Sequence, residues 1–421
     1  MGSKPFPSPC PMRTLAPFAR PLYVMLKPVG AMCNMRCPYC YYLPTADRRH
    51  PSRDASARQR QRHGQQPTAV RMSETLLEQF TRQYIEAQTM PEVLFTWHGG
   101  EPTLQSLHFY RKAIELQRRY AQGRQVANSL QTNGTLLDDE WCQFLAENHF
   151  LVGLSIDGPR PLHDRYRLTA DGRPTFDAVL RAVSLLQKHG VEWNAMATVN
   201  SLNADHPLPF YRFFKSIRCS HLQLTPVVGA EGAVTPEQWG RFLCAVFDEW
   251  VPSDVGTVYV SLFDCTLANW VGATPAICAY ADECGHAAVM EADGDVYSCD
   301  HFVRPEHCLG NLHQQSLVEM LYGPQQQRFS LLKHQALPRQ CRECDVLFAC
   351  HGECPKNRTA TDRYGNPGLN SLCEGYRQFY HHAAPFFDFM ARELAHQRPP
   401  ANVMQVIRSG LLPAELLQAD K

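Results

Sequence analysis

Apolar and polar positions along the chain follow two rhythms. Short runs rich in apolar residues read as strands at Leu22–Lys27 (LYVMLK), Val93–Trp97 (VLFTW), Val126–Gln131 (VANSLQ), Phe150–Ile156 (FLVGLSI), Val191–Val199 (VEWNAMATV) and His221–Thr225 (HLQLT). Between them lie stretches with helical spacing. Over Ser73–Gln88, the residues Leu76, Leu77, Phe80, Tyr84 and Ile85 share one face, and Ser73 is placed to cap the N-terminus. Leu76 stands where a capping box needs Glu or Gln. Leu107–Gln122, Asp138–Asn148, Thr175–His189 and Asp205–Ser216 show the same helical spacing. Six strands alternating with helices predict an α/β fold, with a parallel sheet, right-handed crossovers and a barrel or part of one.

The rhythm changes after Val228. Pro236–Trp250 and Ser261–Val271 read as helices, and AAVMEADGDVYSCD reads as a hairpin turning at Asp293 and Gly294. A further helix is predicted over Leu372–Gln397. A domain boundary is therefore expected near 230–275. Residues 1–20 are proline-rich and predict an irregular arm. Asp47–Val70 carries Arg48, Arg49, Arg53, Arg58, Arg60 and Arg62 among few apolar residues, the composition of a solvated loop.

Composition narrows the chemistry. The 421 residues carry 41 Lys and Arg against 41 Asp and Glu, so net charge is zero and no overall field draws nucleic acid or an anionic membrane. Apolar residues are 44%, enough for a large core. No apolar run reaches the ~18 residues that a membrane span needs. The opening residues lack the apolar core of a secretory signal, so a cytoplasmic, reducing setting is expected. Cysteines number 17, an odd total, and in such a setting dense cysteine points to metal or catalysis rather than disulfides.

The first cysteine cluster is Cys33, Cys37 and Cys40, spaced C-x3-C-x2-C directly after the first predicted strand. Closely spaced thiolates suit zinc or iron–sulfur clusters. Three ligands would fill three corners of a four-iron cluster and leave one iron open, whereas structural zinc normally closes with four. Turn motifs follow the next strands: TWHGGEP with Gly99, Gly100 and Glu101, QTNG with Asn133 and Gly134, and SIDG with Ser155, Asp157 and Gly158. In a parallel barrel these gather on one face, where active sites lie.

The cysteine loop followed by GGEP resembles the radical S-adenosylmethionine superfamily, whose members fold as partial (β/α)6 barrels. The resemblance implies that Cys33, Cys37 and Cys40 hold a 4Fe–4S cluster. It also implies that S-adenosylmethionine chelates the open iron and yields a 5′-deoxyadenosyl radical on one-electron reduction.

Eight further cysteines follow: Cys278, Cys284, Cys299, Cys341, Cys344, Cys350, Cys354 and Cys373. On ligand count alone they suit two 4Fe–4S clusters or two structural zinc sites equally. Their spacing resembles the SPASM extension of anaerobic sulfatase-maturating enzymes. So do the stretches PYCYYL, GGEPTL, LQTNGTLLDDEW, FLVGLSIDGP, EADGDVYSCDHFV and LGNL. The resemblance implies interleaved ligand sets, with Cys278, Cys284, Cys299 and Cys354 on a first auxiliary cluster and Cys341, Cys344, Cys350 and Cys373 on a second. The division expected on this basis is an arm at 1–20, a radical barrel at 21–235 with the basic insertion 47–70, a helical connector at 236–275, a SPASM domain at 276–397 and a tail at 398–421.

The activity implied is oxidation of a Cys or Ser in a sulfatase signature (CxPxR or SxPxR) to Cα-formylglycine, without oxygen, by hydrogen abstraction from Cβ. Asp300 matches the base, next to Cys299. Tyr39, Gly100, Ser155, Arg167 and Val228 match contacts to S-adenosylmethionine, with Tyr39 and Val228 acting through backbone, Ser155 toward ribose and Arg167 toward the methionyl carboxylate. The implied partners are a sulfatase polypeptide or precursor peptide and an electron donor such as flavodoxin or ferredoxin. One departure is His98, where well-known members carry Gln. Tyr42 and His98 are expected to face the substrate, and the basic insertion to contact an acidic sulfatase surface. A peptide maturase forming thioether or other crosslinks is the alternative within the superfamily, and a zinc-binding interaction scaffold the alternative outside it. Of the other cysteines (Cys10, Cys142, Cys219, Cys244, Cys265 and Cys308), Cys142, Cys244 and Cys265 fall in helical patterns and are expected to be small core residues.

Overall fold

The computed structural model describes residues 22–42, 70–285 and 287–410. The arm expected at 1–20, Cys10 and the basic segment 47–70 apart from Val70 lie outside the described residues. The strands of the main sheet are β1 (Tyr23–Leu26), β2 (Glu92–Trp97), β3 (Gln125–Thr132), β4 (Phe150–Ser155), β5 (Glu192–Val199), β6 (His221–Pro226), β7 (Tyr259–Val260), β8 (Ala287–Met290), β9 (Asp295–Tyr297) and β10 (Cys308–Asn311). The longer helices are α1 (Glu74–Glu86), α2 (Leu107–Tyr120), α3 (Asp139–Glu147), α4 (Phe176–His189), α5 (Pro207–Ser216), α6 (Pro236–Trp250), α7 (Ser261–Trp270), α8 (Pro324–Gln335) and α9 (Cys373–Ala395). The Ser73 hydroxyl accepts from Leu76 N, the cap expected of it.

These strands form one ten-stranded sheet in the order β10-β9-β8-β1-β2-β3-β4-β5-β6-β7. Neighbours from β1 to β7 are parallel. The hairpin β8–β9 was expected from its sequence, but its docking was not. β8 lies parallel to β1, with Tyr23 opposite Ala287 and Leu26 opposite Met290. Strand β9 then continues antiparallel. The boundary expected near 230–275 is thus no break in the sheet, because the second cysteine region covers the open edge of β1 and satisfies its backbone groups.

The core runs along both regions. Phe80, Tyr84, Phe95, Trp97 and Tyr110 are fully buried and pack ring to ring between α1, α2 and the sheet. Phe247 of α6 packs against Phe263 of α7 and against Phe379, Phe386 and Phe387 of α9, locking the C-terminal helix to the connector. Cys142 and Cys265 are buried as expected, Cys219 is buried too, and Cys244 is half-buried. Among the described residues no helix is long and apolar enough to cross a membrane.

Candidate active site

Parallel pairing from β1 to β6 puts the ends of these strands on one edge. Lys27 follows β1 and leads into the loop of Cys33, Cys37 and Cys40. His98 to Glu101 follow β2, Asn133 follows β3, Asp157 follows β4 and Val228 follows β6.

The GGEP turn docks on the cysteine loop. Gly100 N donates to Gly30 O at 2.8 Å and Glu101 N to Met32 O at 2.8 Å. A Cβ on Gly100 would lie 2.1 Å from Met32 O, so only glycine permits this approach. The buried Glu101 carboxylate accepts from Thr103 N (3.0 Å), Thr103 Oγ1 (2.6 Å), Thr132 Oγ1 (2.7 Å) and Asn133 N (2.7 Å). Burial pushes its pKa up while these donors oppose the rise. Asn133 Nδ2 in turn donates to Asn34 Oδ1 at 2.8 Å, and Asn34 Nδ2 to Thr135 Oγ1 at 2.8 Å. Glu101 therefore ties two turns together behind the cysteine loop.

A second buried carboxylate, Asp157, organises the far side. Arg167 meets it through Nε (2.9 Å) and Nη2 (3.0 Å), Thr198 N donates to it at 2.8 Å, and the Tyr39 hydroxyl completes the set. The carboxylate that Arg167 meets is thus Asp157, within the chain. Tyr39, expected to act through its backbone, also spends its hydroxyl here. Ser155 ends β4 half-buried, and Val228 lies just beyond β6, packed on the core.

Asp300 sits between the two cysteine regions. Lys27 Nζ pairs with Oδ1, and the Tyr41 hydroxyl donates to Oδ2. Burial alone would raise this carboxyl, but Lys27, His98 and His301 outweigh it and hold it well below the usual carboxylate range. Lys27, fully buried, also donates to His98 Nδ1 at 2.9 Å and stacks over the Tyr42 ring at 4.1 Å. Burial and the Lys27 charge push the His98 imidazole down to about 3, so it is neutral near pH 7. Tyr42 is buried and donates its hydroxyl to Glu291. The expectation that Tyr42 and His98 face the substrate therefore takes another form, in which both side chains brace Lys27 from behind. Tyr41 follows Cys40, and His301 lies 3.6 Å from Cys354 Sγ, so Asp300 bridges the first cysteine loop and the auxiliary region.

Burial raises thiols in both cysteine regions. Cys33 and Cys37 are pushed up by burial to about 12 and about 11, with neighbouring thiols adding to the rise. Cys299 is raised by burial and then by Cys354 and Cys278, and Cys354 by burial, Glu353 and then Cys278 and Cys284. Cys373 is pushed up by burial to about 12, with Cys341 and Cys344 adding, and Cys350 is raised by burial, then by Cys373 and Cys341. A cavity of about 210 Å³ is lined by Cys341, Cys344, Cys350 and Cys373 together. Buried, crowded thiols of this kind fit a cationic iron–sulfur core, which compensates the charge that they carry as thiolate ligands. Cys308 belongs to neither set, its thiol turned to Gly310 O at 3.8 Å.

Lys27, Tyr41, His301 and Glu291 were not legible as site residues, and Asp157 read only as part of a turn. Lys27 left one signal, a charge closing an otherwise apolar strand just before the cysteine loop.

The chain is similar to known proteins along most of its length. Residues 28–214 match the family described as Radical SAM superfamily, and residues 283–345 the SPASM family, described as Iron-sulfur cluster-binding domain. A serine-type anaerobic sulfatase-maturating enzyme from Bacteroides thetaiotaomicron is 53% identical over 96% of this chain and 99% of its own length. A cysteine-type anaerobic sulfatase-maturating enzyme from Clostridium perfringens is 32% identical over 87% of this chain and 97% of its own. A solved structure of native anSMEcpe with bound AdoMet and Cp18Cys peptide superposes with a TM-score of 0.78 at 30% identity, covering 89% of this chain and 100% of that one.

Proposed function

The chain belongs to the anaerobic sulfatase-maturating enzymes of the radical S-adenosylmethionine superfamily, and on that premise we propose that it oxidises a serine in a sulfatase signature to Cα-formylglycine with Asp300 as the base. The serine preference rests on identity, 53% to the serine-type relative against 32% to the cysteine-type one. The cofactors are three 4Fe–4S clusters and S-adenosylmethionine. When bound, they supply a hydrogen-abstracting radical and an acceptor for the electron that the substrate releases. The crosslinking alternative is not favoured, because the similarity to sulfatase-maturating enzymes spans nearly the whole chain.

The chain's own residues then divide the work. Cys33, Cys37 and Cys40 would hold the radical cluster, with Tyr39, Gly100, Ser155, Arg167 and Val228 around S-adenosylmethionine. Cys278, Cys284, Cys299 and Cys354 would hold the first auxiliary cluster, and Cys341, Cys344, Cys350 and Cys373 the second. Asp300 accepts the proton of the substrate hydroxyl. Lys27 keeps it ionised and Tyr41 fixes its orientation, as a general base within hydrogen-bond reach requires. The single observation that carries this reading is the place of Asp300, tied to the Cys40 loop by Tyr41 and adjacent to Cys299. A flavodoxin or ferredoxin donor and a cytoplasmic setting suit a chain whose radical chemistry starts with a one-electron reduction.

Asp300→Asn tests it. The variant should still cleave S-adenosylmethionine to 5′-deoxyadenosine and should lose roughly a hundredfold or more of peptide oxidation, the scale of a lost general base. Full peptide turnover in that variant would remove Asp300 from the reaction.

A further inference from the structure

One buried and one half-buried cation lie among the auxiliary cysteines. Lys333, on α8, is 1% exposed. Its Nζ donates to the carbonyls of Cys278 (2.6 Å), Ala279 (2.8 Å) and Ala281. Three carbonyl acceptors require three N–H donors, so this amine is an ammonium. Its charge bears on the thiols of Cys284, Cys278 and Cys354, all of the first set.

Arg358 lies between the sets. Its guanidinium donates to the carbonyls of Gly352 (2.9 Å), Lys333 (2.6 Å), His351 (2.9 Å) and Glu353 (3.2 Å). Its charge bears on Cys341 and Cys350 of the second set and on Cys284 of the first.

The backbone explains why these sets interleave. His351, Gly352 and Glu353 have φ of 47°, 69° and 52°. Non-glycine residues rarely adopt this left-handed conformation. The run carries the chain from Cys350, in the second set, to Cys354, in the first. Arg358 binds the carbonyls of all three turned residues and so holds the crossing in place.

We propose that Lys333 and Arg358 set the reduction potentials of the auxiliary sites, Lys333 that of the site formed by Cys278, Cys284, Cys299 and Cys354, and Arg358 those of both. This rests on the reading that both sets hold iron–sulfur clusters. One-electron reduction adds one negative charge to a site, and a fixed cation in a low-dielectric interior stabilises the reduced form and raises its potential. Glu353 is the opposing charge, bonded to Asn357 Nδ2 (3.0 Å) and Asn370 Nδ2 (2.7 Å). Burial pushes its carboxyl up, and Asn357, Lys333 and Asn370 oppose the rise. With two cations on it, the site beside Asp300 is a ready acceptor for an electron leaving the substrate, and the shared arginine keeps the second site close to it in potential.

The test is a redox titration of the full-length holoenzyme followed by electron paramagnetic resonance. The radical site is recognised as the signal that S-adenosylmethionine perturbs. Lys333→Gln should lower one auxiliary midpoint potential and leave the other. Arg358→Gln should lower both, and Arg358→Lys, which keeps the charge, should hold both near the parent. Unchanged potentials in the Gln variants at full iron content overturn the proposal, as does an Arg358→Lys shift as large as that of Arg358→Gln. If a Gln variant fails to hold its clusters, Lys333→Arg and Arg358→Lys decide: retained potentials support the proposal, and lowered ones overturn it. Failure of the underlying cluster reading would look different, since the parent chain itself would then lack auxiliary signals and the iron to match them.

Discussion

At the scale of the residue, buried charge organises this molecule. Glu101, Asp157 and Asp300 are each met by donors from separate strand ends, and Lys27 is buried with Asp300, His98 and Tyr42 around it. Histidine 163 shows how such burial couples to pH. Its Nε2 lies 3.0 Å from Thr175 Oγ1, its Nδ1 accepts from Asp157 N at 3.3 Å, and burial followed by the Arg167 charge pushes it down to about 3. The unfolded chain protonates this ring near pH 6.5 while the folded chain refuses the proton. Its stabilising contribution is therefore complete above pH 6.5 and is lost as pH falls toward 3. From pH 6.5 to 5 the loss is roughly 2 kcal/mol for this group. Anaerobic melting of the parent and His163→Gln over that range should show a flatter pH dependence in the variant. Parallel curves would mean that His163 takes up its proton in the folded state. The eleven patterned cysteines stood out in the sequence because their spacing is distinctive, and Asp300 only through the resemblance that they carry. The sequence hid Lys27, Tyr41 and Glu291, whose roles depend on partners far along the chain.

At the scale of the element, strands β1 to β6 and helices α1 to α7 and α9 were legible from periodicity to within about two residues, because each buries one face against a continuous core. What escaped was helix α8, whose buried face is mostly polar (Gln326, Ser330 and Lys333 beside Phe329), the two-residue β7, and β10, whose LGNL sequence read as a motif rather than a strand. The turn after β2 matters most for function. In Gly100→Ala the new Cβ would meet Met32 O at 2.1 Å and Met32 C at 2.5 Å, both backbone atoms that no rotamer change can move. The loop carrying Cys33 would have to shift. The expected result is loss of the radical cluster with the auxiliary pair retained, so that iron falls by roughly a third of about twelve per chain. Iron and sulfide analysis of anaerobically purified protein checks this, and a full complement would show that the loop absorbs the methyl group.

At the scale of the whole molecule, two regions share one sheet. The hairpin β8–β9 covers β1, Lys27 N donates to Met290 O at 2.9 Å, and Asp300 on the far side of the hairpin pairs with Lys27. The site is therefore incomplete in either half alone. A chain ending at residue 275 would leave β1 as an open edge and Lys27 as an unpaired buried cation, a combination that favours aggregation. Size-exclusion chromatography of that fragment should find it aggregated or insoluble. A monomer with a sharp melting transition would show that the parallel strands fold without the hairpin.

The central claim is the hydrogen abstraction itself. It is tested most directly by anaerobic incubation with S-adenosylmethionine, a reductant and an SxPxR peptide deuterated at the serine Cβ, followed by mass spectrometry. The account predicts an aldehyde at that serine with deuterium carried into 5′-deoxyadenosine, and slower conversion of the matching CxPxR peptide. Unlabelled 5′-deoxyadenosine beside an unchanged serine, or a crosslink in place of the aldehyde, would contradict it.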